Sequence, residues 1–250
     1  MNVIIPLAGK DAVFEKLGNA KALTEIMGKP LIQWISESRP FSYNHATFIL
    51  LREHQKKFQI DMKIKELFGD KINIVWAEEM TRGAPQSVLL ANNLINNEEE
   101  LIIDLVDQYL DLRGFMEFIE QNNHRCDGII PTFESFYWNR GYMLINANNH
   151  VIKIQEKSKQ PISTHSTACV NYFRHGKDFV HAAEKMDKLG HTAANGAFLV
   201  SLAYNEMIDE GKKIIIYPCE FIATLGTIEG INVFEQVIRP LKNDSDKPQG

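Results

Sequence analysis

The 250-residue sequence lacks the features that would assign it to several common classes of protein. Its three cysteines lie far apart and form no CxxC pair, so the usual spacing of a structural zinc site is missing. Lysine and arginine total 27 against 32 aspartates and glutamates, and a chain with a net charge of −5 is a poor candidate for a nucleic-acid-binding protein. No uninterrupted apolar stretch approaches the ~20 residues that cross a bilayer, so no membrane partner is expected.

Two further absences concern targeting and phosphate binding. The first residues, 1–6, carry no basic segment and too short an apolar run for export, and with the odd cysteine count this favours a reducing cytoplasm. We therefore interpret Cys126, Cys169 and Cys219 as small core or boundary residues. Neither GxxxxGK(S/T) nor GxGxxG occurs, so the two common phosphate-loop signatures are lacking.

What the sequence does contain is typical of a folded α/β protein, with 44% hydrophobic and 24% charged residues. In the first half, short apolar segments alternate with helical patterns, which indicates βαβ units and a mostly parallel sheet. The predicted strands there are 2–7, 46–51, 72–77, 101–106 and 128–133. The predicted helices are 30–38, 59–68, 84–93 and 114–122.

After about residue 135 the strands become shorter and the connections richer in turns. Strands are predicted over 141–145, 151–155, 169–174 and 214–217, with a turn at 146–149 and helices over 176–189, 197–210 and 227–239. We predict one α/β domain over residues 1–241, in which helices flank a central mixed, mostly parallel sheet. Its halves are residues 1–134 and 135–241, and the polar tail 242–250 is predicted to be flexible.

Two segments follow predicted strands at the edge where open α/β sheets bind ligands. Residues 7–10 combine a glycine at the turn with a lysine, so backbone N–H groups and an ammonium group could bind a triphosphate. A tight strand-to-helix turn with solvated lysines is the alternative. Residues 79–84 end in a glycine and an alanine that open a helix, for which an ordinary helix start is the alternative.

A third segment carries acidic residues at the same edge. Asp107 follows an apolar strand, and a carboxylate in that place is suited to Mg²⁺, which prefers carboxylate and phosphate oxygens. Asp104 lies three residues earlier and therefore faces the other side of the strand, where it could have a structural role. Asp111 is interpreted as an exposed loop residue.

The order of these segments resembles the sugar-phosphate nucleotidylyltransferases, which have a GT-A-like Rossmann fold. Residues 3–9 (VIIPLAG) match the family's first strand and loop, Lys21 falls on its signature lysine, and residues 28–32 (GKPLI) match the next block. Weaker matches follow in family order as far as residue 238. The segment around Asp107 is most similar to members linked to surface polysaccharides.

The resemblance implies a set of site residues. Lys21 and Asp107 are the expected catalytic residues, and Asp107 is the expected ligand of a Mg²⁺ cofactor. The expected nucleotide-binding residues are Leu7, Ala8, Gly9, Lys10, Glu79, Gly83 and Ala84. The expected acceptor-binding residues are Glu156, Lys157, Asn171 and Asn195.

The activity implied is the transfer of a nucleoside monophosphate from a nucleoside triphosphate to a phosphorylated sugar or a similar small phosphate. Pyrophosphate would leave, and the product would serve nucleotide-sugar or surface polysaccharide synthesis. The expected partners are therefore the triphosphate and the small phosphorylated substrate. Whether the chain forms a homo-oligomer, which base it takes and which acceptor it takes all stay open.

Several residues depart from the family pattern. Val13 stands where the phosphate loop usually has an arginine, Asp11 replaces a glycine there, Cys169 replaces a glycine of the sugar pocket, and Thr224 replaces a second metal-binding aspartate. A catalytically degenerate homologue that binds a nucleotide or nucleotide-sugar as sensor or scaffold is therefore an alternative. A GT-A glycosyltransferase ranks lower, because such enzymes commonly carry a DxD motif and this chain has DxxD.

Overall fold

Helices pack on both faces of a ten-stranded sheet in the computed structural model, which describes the backbone of residues 1–245 and the side chains of residues 1–239. The strands are β1 (Asn2–Leu7), β2 (Glu25–Ile26), β3 (Lys29–Pro30), β4 (Thr47–Leu51), β5 (Asn73–Ala77), β6 (Leu101–Asp104), β7 (Gln108–Leu110), β8 (Gly128–Glu134), β9 (Gly141–Ile145), β10 (Val151–Glu156), β11 (His165–Thr167), β12 (Val170–Phe173), β13 (Ile214–Pro218) and β14 (Ile222–Thr224).

The α-helices are α1 (Ala12–Lys16), α2 (Leu31–Glu37), α3 (Arg52–Phe58), α4 (Ile60–Phe68), α5 (Ala84–Leu89), α6 (Asn92–Ile95), α7 (Phe115–Asn122), α8 (Gly176–Leu189), α9 (Ala203–Asp209) and α10 (Ile228–Ser245). Two short 3₁₀ helices cover Lys21–Leu23 and Val200–Leu202. No helix in the part of the chain described is long and apolar enough to cross a membrane.

The strand order of the large sheet is β10-β9-β11-β8-β12-β6-β1-β4-β5, with β13 beside β8. The block β6-β1-β4-β5 is parallel, whereas β12 runs antiparallel to both β6 and β8. A separate antiparallel pair joins β7 to β14. The four strands of the parallel block therefore end at the same edge of the sheet, beside its antiparallel half. Ligands bind at this edge in open α/β sheets.

Each face of the sheet has its own hydrophobic core, because successive side chains of a strand point to opposite faces. In β1, Ile5 belongs to one buried cluster and Ile4 to the other. In β4, Phe48 and Ile49 divide in the same way. Strands covered on both faces read as continuous apolar runs, which is why these segments are recognisable in the sequence.

The mixed sheet flanked by helices confirms the predicted fold class, but some boundaries were wrong. The helix predicted over 197–210 begins only at Ala203, after the 3₁₀ turn at Val200–Leu202, because Phe198 instead forms a parallel bridge with Gly83. The strand predicted over 101–106 ends at Asp104. Two helices, α1 and α3, were not predicted.

The cysteines and the last helix can also be compared with the predictions from the sequence. All three cysteines are free, with Cys126 and Cys169 buried and Cys219 partly exposed, as predicted for core or boundary residues. Helix α10 continues to Ser245, so the first residues of the predicted flexible tail are helical. Residues 246–250 lie outside the described part.

Candidate active site

Two cavities adjoin at the edge where the parallel strands end. The smaller, of about 270 Å³, is bounded by the loop after β1 and the start of α5. The larger, of about 670 Å³, lies over the antiparallel half of the sheet. Leu105, Asp107 and Leu199 line both cavities, so a group beside Asp107 can be reached from either side.

The smaller cavity brings together most of the predicted nucleotide-binding residues. Its lining includes Leu7, Ala8, Gly9, Lys10, Gly83 and Ala84, together with Lys21. Glu79 is exposed and does not belong to that lining. The loops after β1 and β5 therefore converge although they are about seventy residues apart, because β1 and β5 flank β4 in the parallel sheet.

The loop after β1 is stabilised by its own side chains. Asp11 is the N-cap of α1, and its carboxylate accepts a hydrogen bond of 3.2 Å from the Val13 N–H. Val13 points outward with 57% of its surface exposed, whereas Phe14 is buried in the core. Lys10 forms an ion pair with Glu53 of α3. The acid that departs from the family pattern thus has a structural reason, since it caps the helix.

Lys21 and Asp107 form an ion pair at the junction of the two cavities. Lys21 Nζ donates a hydrogen bond of 2.5 Å to Asp107 Oδ1. Burial alone would lower the pKa of Lys21, but the charge and hydrogen bond of Asp107, with Asp11 nearby, outweigh it and leave that pKa raised. Lys21 is therefore a fixed cation, and 43% of the Asp107 side chain stays exposed to the cavities.

A turn with unusual backbone geometry positions Asp107. After β6 ends, Val106 adopts a φ of 56°, a left-handed conformation that is strained for a β-branched residue. The Asp104 carboxylate accepts the Val106 N–H at 3.1 Å, and the Asp107 carbonyl accepts the Leu225 N–H at 2.8 Å. A Cβ on Gly226 would lie 3.3 Å from Asp107 Cγ, so a glycine leaves room for this carboxylate.

Asp104 has the structural role that its position in the strand suggested. Its carboxylate accepts two hydrogen bonds from Arg39, of 2.5 and 3.1 Å, and one of 2.6 Å from the Tyr43 hydroxyl. The side chains of Asp104 and Arg39 are both fully buried. Because Asp104 and Asp107 face different surroundings, the DxxD pair does not form one joint metal site.

The larger cavity has polar and apolar residues in its lining and contains three of the four predicted acceptor-binding residues: Glu156, Lys157 and Asn171. Glu156 is buried, accepts hydrogen bonds from Ser201 (2.5 Å) and Thr167 (3.4 Å), and burial raises its pKa. Asn171 is 1% exposed, and its side-chain oxygen has no hydrogen-bond partner among the described residues.

Lys157 and Asn195 differ in their position relative to this cavity. Lys157 has a left-handed φ of 58°, and its Nζ donates a hydrogen bond of 3.0 Å to the Asn139 carbonyl at the cavity wall. Asn195 lies outside the cavity, in an exposed turn where its side chain accepts the Ala197 N–H. The left-handed backbone at Lys157 turns the chain at the end of β10, next to Glu156.

Solved structures of nucleotide-sugar proteins share this architecture. A nucleoside-diphosphate-sugar pyrophosphorylase from Vibrio cholerae is 19% identical, with a TM-score of 0.76 over 94% of this chain and 99% of that chain. A UDP-glucose pyrophosphorylase complexed with UDP-glucose is 15% identical, with a TM-score of 0.75 over 96% and 98% of the two chains. A Bacillus anthracis protein described as a glucose-1-phosphate thymidylyltransferase, in complex with a sucrose, is 16% identical, with a TM-score of 0.72 over 100% and 97%.

The chain has the fold of these proteins. No protein-family model matches the sequence, and no curated protein matches it. The similarity between this chain and those proteins is therefore a similarity of fold, in the arrangement of the sheet and helices.

Sequence reasoning missed three residues that shape the site. Arg39 supports the turn before Asp107, Ser201 binds Glu156, and Arg140 lines the larger cavity. None belongs to a recognisable motif, and each comes to the site from a distant part of the chain. A pairing of Arg39 with Asp104 could have been sought, because a buried acid in a strand requires a cation.

The two loop glycines are expected to respond differently to alanine. A Cβ on Gly83 would lie 2.3 Å from the Phe198 carbonyl oxygen, so Gly83→Ala must open this bridge and should lower the free energy of unfolding by about 1–3 kcal/mol. A Cβ on Gly9 would have no neighbour within 4 Å, so Gly9→Ala should be nearly neutral. Urea unfolding of both variants checks this, and an equal loss in both would contradict it.

Proposed function

We propose that the protein is a nucleotidylyltransferase that transfers a nucleoside monophosphate from a nucleoside triphosphate to a phosphorylated sugar or a similar small phosphate. The observation that carries the proposal is the Lys21–Asp107 pair at the junction of the smaller cavity, which the glycine loop lines, and the larger cavity. The pyrophosphorylases that share the fold support the same class of reaction. We further propose that the product serves nucleotide-sugar or surface polysaccharide synthesis.

The reaction would be an in-line displacement. An oxygen of the acceptor phosphate attacks the α-phosphorus, the new P–O bond forms, the bond between the α- and β-phosphates breaks, and pyrophosphate leaves. Such reactions depend on positioning and on stabilisation of charge more than on a covalent intermediate. Lys21 is the fixed cation beside the α-phosphate, and Lys157 is a cation on the acceptor side.

Asp107 fits the role of the protein ligand for Mg²⁺. Its Oδ1 accepts the Lys21 hydrogen bond, whereas its Oδ2 accepts none from the described residues. No group of three or more His, Cys, Asp or Glu side chains that could hold a metal occurs within the described residues. One carboxylate suits Mg²⁺, which is commonly held by one or two carboxylates together with substrate phosphates. When bound, the ion neutralises phosphate charge.

A substrate panel tests the proposal. Each nucleoside triphosphate is combined with hexose, heptose and polyol phosphates in the presence of Mg²⁺, and pyrophosphate release is measured. We expect release with at least one pair, and a large loss of rate in Asp107→Asn. Absence of release with every pair would contradict the proposal, as would an Asp107→Asn variant that matches the wild type.

A second candidate is a homologue that binds a nucleotide or nucleotide-sugar without turnover. Two observations favour this candidate. The exposed Val13 stands where the resembled family has an arginine, and Lys10 forms an ion pair with Glu53. Its signature would be a rise in Tm with a nucleotide-sugar in the absence of any pyrophosphate release. No change in Tm with any nucleotide would count against both candidates.

We expect Asp11→Asn to improve the use of the triphosphate. Asparagine caps a helix about as well as aspartate, so α1 should keep its stability while a negative charge leaves the wall of the smaller cavity. The expected result is a several-fold lower KM for the triphosphate with an unchanged Tm. Asp11→Ala is the control, because it also removes the charge but loses the cap and should lower Tm. A higher KM in Asp11→Asn would contradict the argument.

Lys157→Gly should make the protein more stable and less active. A left-handed residue with a side chain costs about 1–2 kcal/mol and the freedom of glycine in the unfolded chain offsets part of this, so we expect a gain of up to about 1 kcal/mol. The KM for the acceptor should rise, because a cavity cation is lost. Gln59→Gly is the matched control: with a φ of 52° and an exposed side chain, it should gain stability without a change in KM. A loss of stability in Lys157→Gly would contradict the prediction.

A further inference from the structure

Arg140 lines the larger cavity, and no carboxylate of the described residues lies within ion-pair distance of its guanidinium. Its Nη2 donates a hydrogen bond of 3.3 Å to Thr224 Oγ1, and its guanidinium lies 5.0 Å from the centre of the Phe133 ring. Its Nε is buried and has no hydrogen-bond partner among the described residues. A guanidinium has five N–H donors, so most of the capacity of this group is unused.

Arg140 differs from most arginines of the chain. Five of the eight form ion pairs with carboxylates within the described residues: Arg39, Arg52, Arg82, Arg113 and Arg239. Arg125, Arg140 and Arg174 form none there, and of these three Arg140 is the one that lines the larger cavity. Its buried Nε has no acceptor among the described residues, and a buried donor of a charged group without an acceptor is costly. An arginine in a cavity under these conditions is suited to an anion that arrives with a ligand.

The guanidinium also contacts the β7–β14 strand pair, which begins directly after Asp107. Thr224 lies opposite Gln108 in the β7–β14 ladder, and the next residue, Leu225, donates its N–H to the Asp107 carbonyl. On its other side, the Arg140 carbonyl accepts the Lys157 N–H at 3.0 Å. Two cations, Arg140 and Lys157, therefore line one cavity, together with the carboxyl groups of Asp107, Glu156 and Glu229.

We propose that Arg140 binds the phosphate of the acceptor and thereby restricts acceptors to phosphate monoesters, an inference that rests on the proposed nucleotidyl transfer. The planar guanidinium matches two phosphate oxygens, which a lysine cannot do. Arg140 lines the larger cavity and not the smaller, so it serves the acceptor and not the triphosphate. Thr224 fixes the guanidinium so that the acceptor phosphate lies towards Asp107, where the α-phosphate would be attacked.

A binding experiment tests this without turnover. The Nε–Hε resonance of Arg140 is assigned in ¹⁵N-labelled protein by its loss in Arg140→Lys. We expect it to shift on titration with inorganic phosphate and with α-D-glucose 1-phosphate, and not with glucose. A resonance that does not move with either phosphate would overturn the proposal. A shift without any pyrophosphate release in the substrate panel would support the anion site while the proposed function fails.

Kinetics give the second readout once an acceptor is identified. Arg140→Gln should raise the KM for the acceptor by about 10- to 100-fold and leave the KM for the triphosphate unchanged. Arg140→Lys should recover part of the loss, because it keeps the charge and loses the two-point contact. Arg113→Gln, whose arginine pairs with Asp111 outside both cavities, should change neither KM. An unchanged acceptor KM in Arg140→Gln, with its Tm retained, would overturn the proposal.

Discussion

Replacing Lys21 with methionine is expected to lower the rate of pyrophosphate release by about 10²–10⁴-fold, the range found when a charge-stabilising group is removed. The Lys21 ammonium contacts Asp107 at the place where the two cavities join. Without this cation, the negative charge that develops on the α-phosphate in the proposed reaction is no longer stabilised by Lys21. Saturating kinetics separate the effect on kcat from the effect on KM.

The fold should tolerate this substitution, which makes the experiment interpretable. The partner carboxylate of Asp107 is 43% exposed and can be solvated by water when the ammonium is removed. Lys21→Arg, which keeps a positive charge, should retain more activity than Lys21→Met. Lys16→Met is the control, because Lys16 is exposed on α1 and should affect neither Tm nor rate. Full activity in Lys21→Met would contradict the proposed role.

Replacing Asp104 with alanine is expected to lower the free energy of unfolding by about 3–5 kcal/mol, because it leaves a buried guanidinium without its counter-ion. Arg39 is fully buried, and two of its hydrogen bonds go to Asp104. Denaturant unfolding measures the loss. The exposed pair of Arg52 and Glu78 provides the comparison, since Glu78→Ala should cost less than about 1 kcal/mol.

A double variant distinguishes a lost ion pair from a general loss of packing. Arg39→Met combined with Asp104→Leu removes both charges, so it should be much less destabilising than the two single losses added together. It should still impair catalysis, because the Val106 N–H loses its acceptor and the turn before Asp107 is released. A double variant as unstable as the sum of the singles would contradict this account.

The parallel half of the fold could be predicted closely because its strands are apolar throughout. Asn2–Leu7, Thr47–Leu51 and Asn73–Ala77 agree with the predicted strands to within one residue. The strand at Leu101–Asp104 was harder, because Leu105 and Val106 continue the apolar pattern while the backbone turns left-handed. The hydrogen bond of Val106 to the buried Asp104 ends that strand, and the sequence does not indicate it.

The site shows the same division between local and tertiary information. Gly9, Gly83 and Asp107 could be selected because each follows a predicted strand, and all three line the smaller cavity. Glu79 is exposed and does not line the cavity, although the next residue, Met80, does, because the backbone direction after β5 decides which residues of this loop face inward. Arg140 is in an irregular connection between β8 and β9, where no periodicity relates it to Asp107.

The features that the sequence lacks could be recognised without a structure. The sequence by itself determined an α/β chain without a basic excess, an apolar span or a cysteine pair, because composition and periodicity depend on neighbours along the chain. The tertiary structure decided which few charges meet: Lys21 contacts Asp107 across 86 positions, and Arg39 contacts Asp104 across 65. Strand order and register set such contacts, and neither can be deduced from a local pattern of residues.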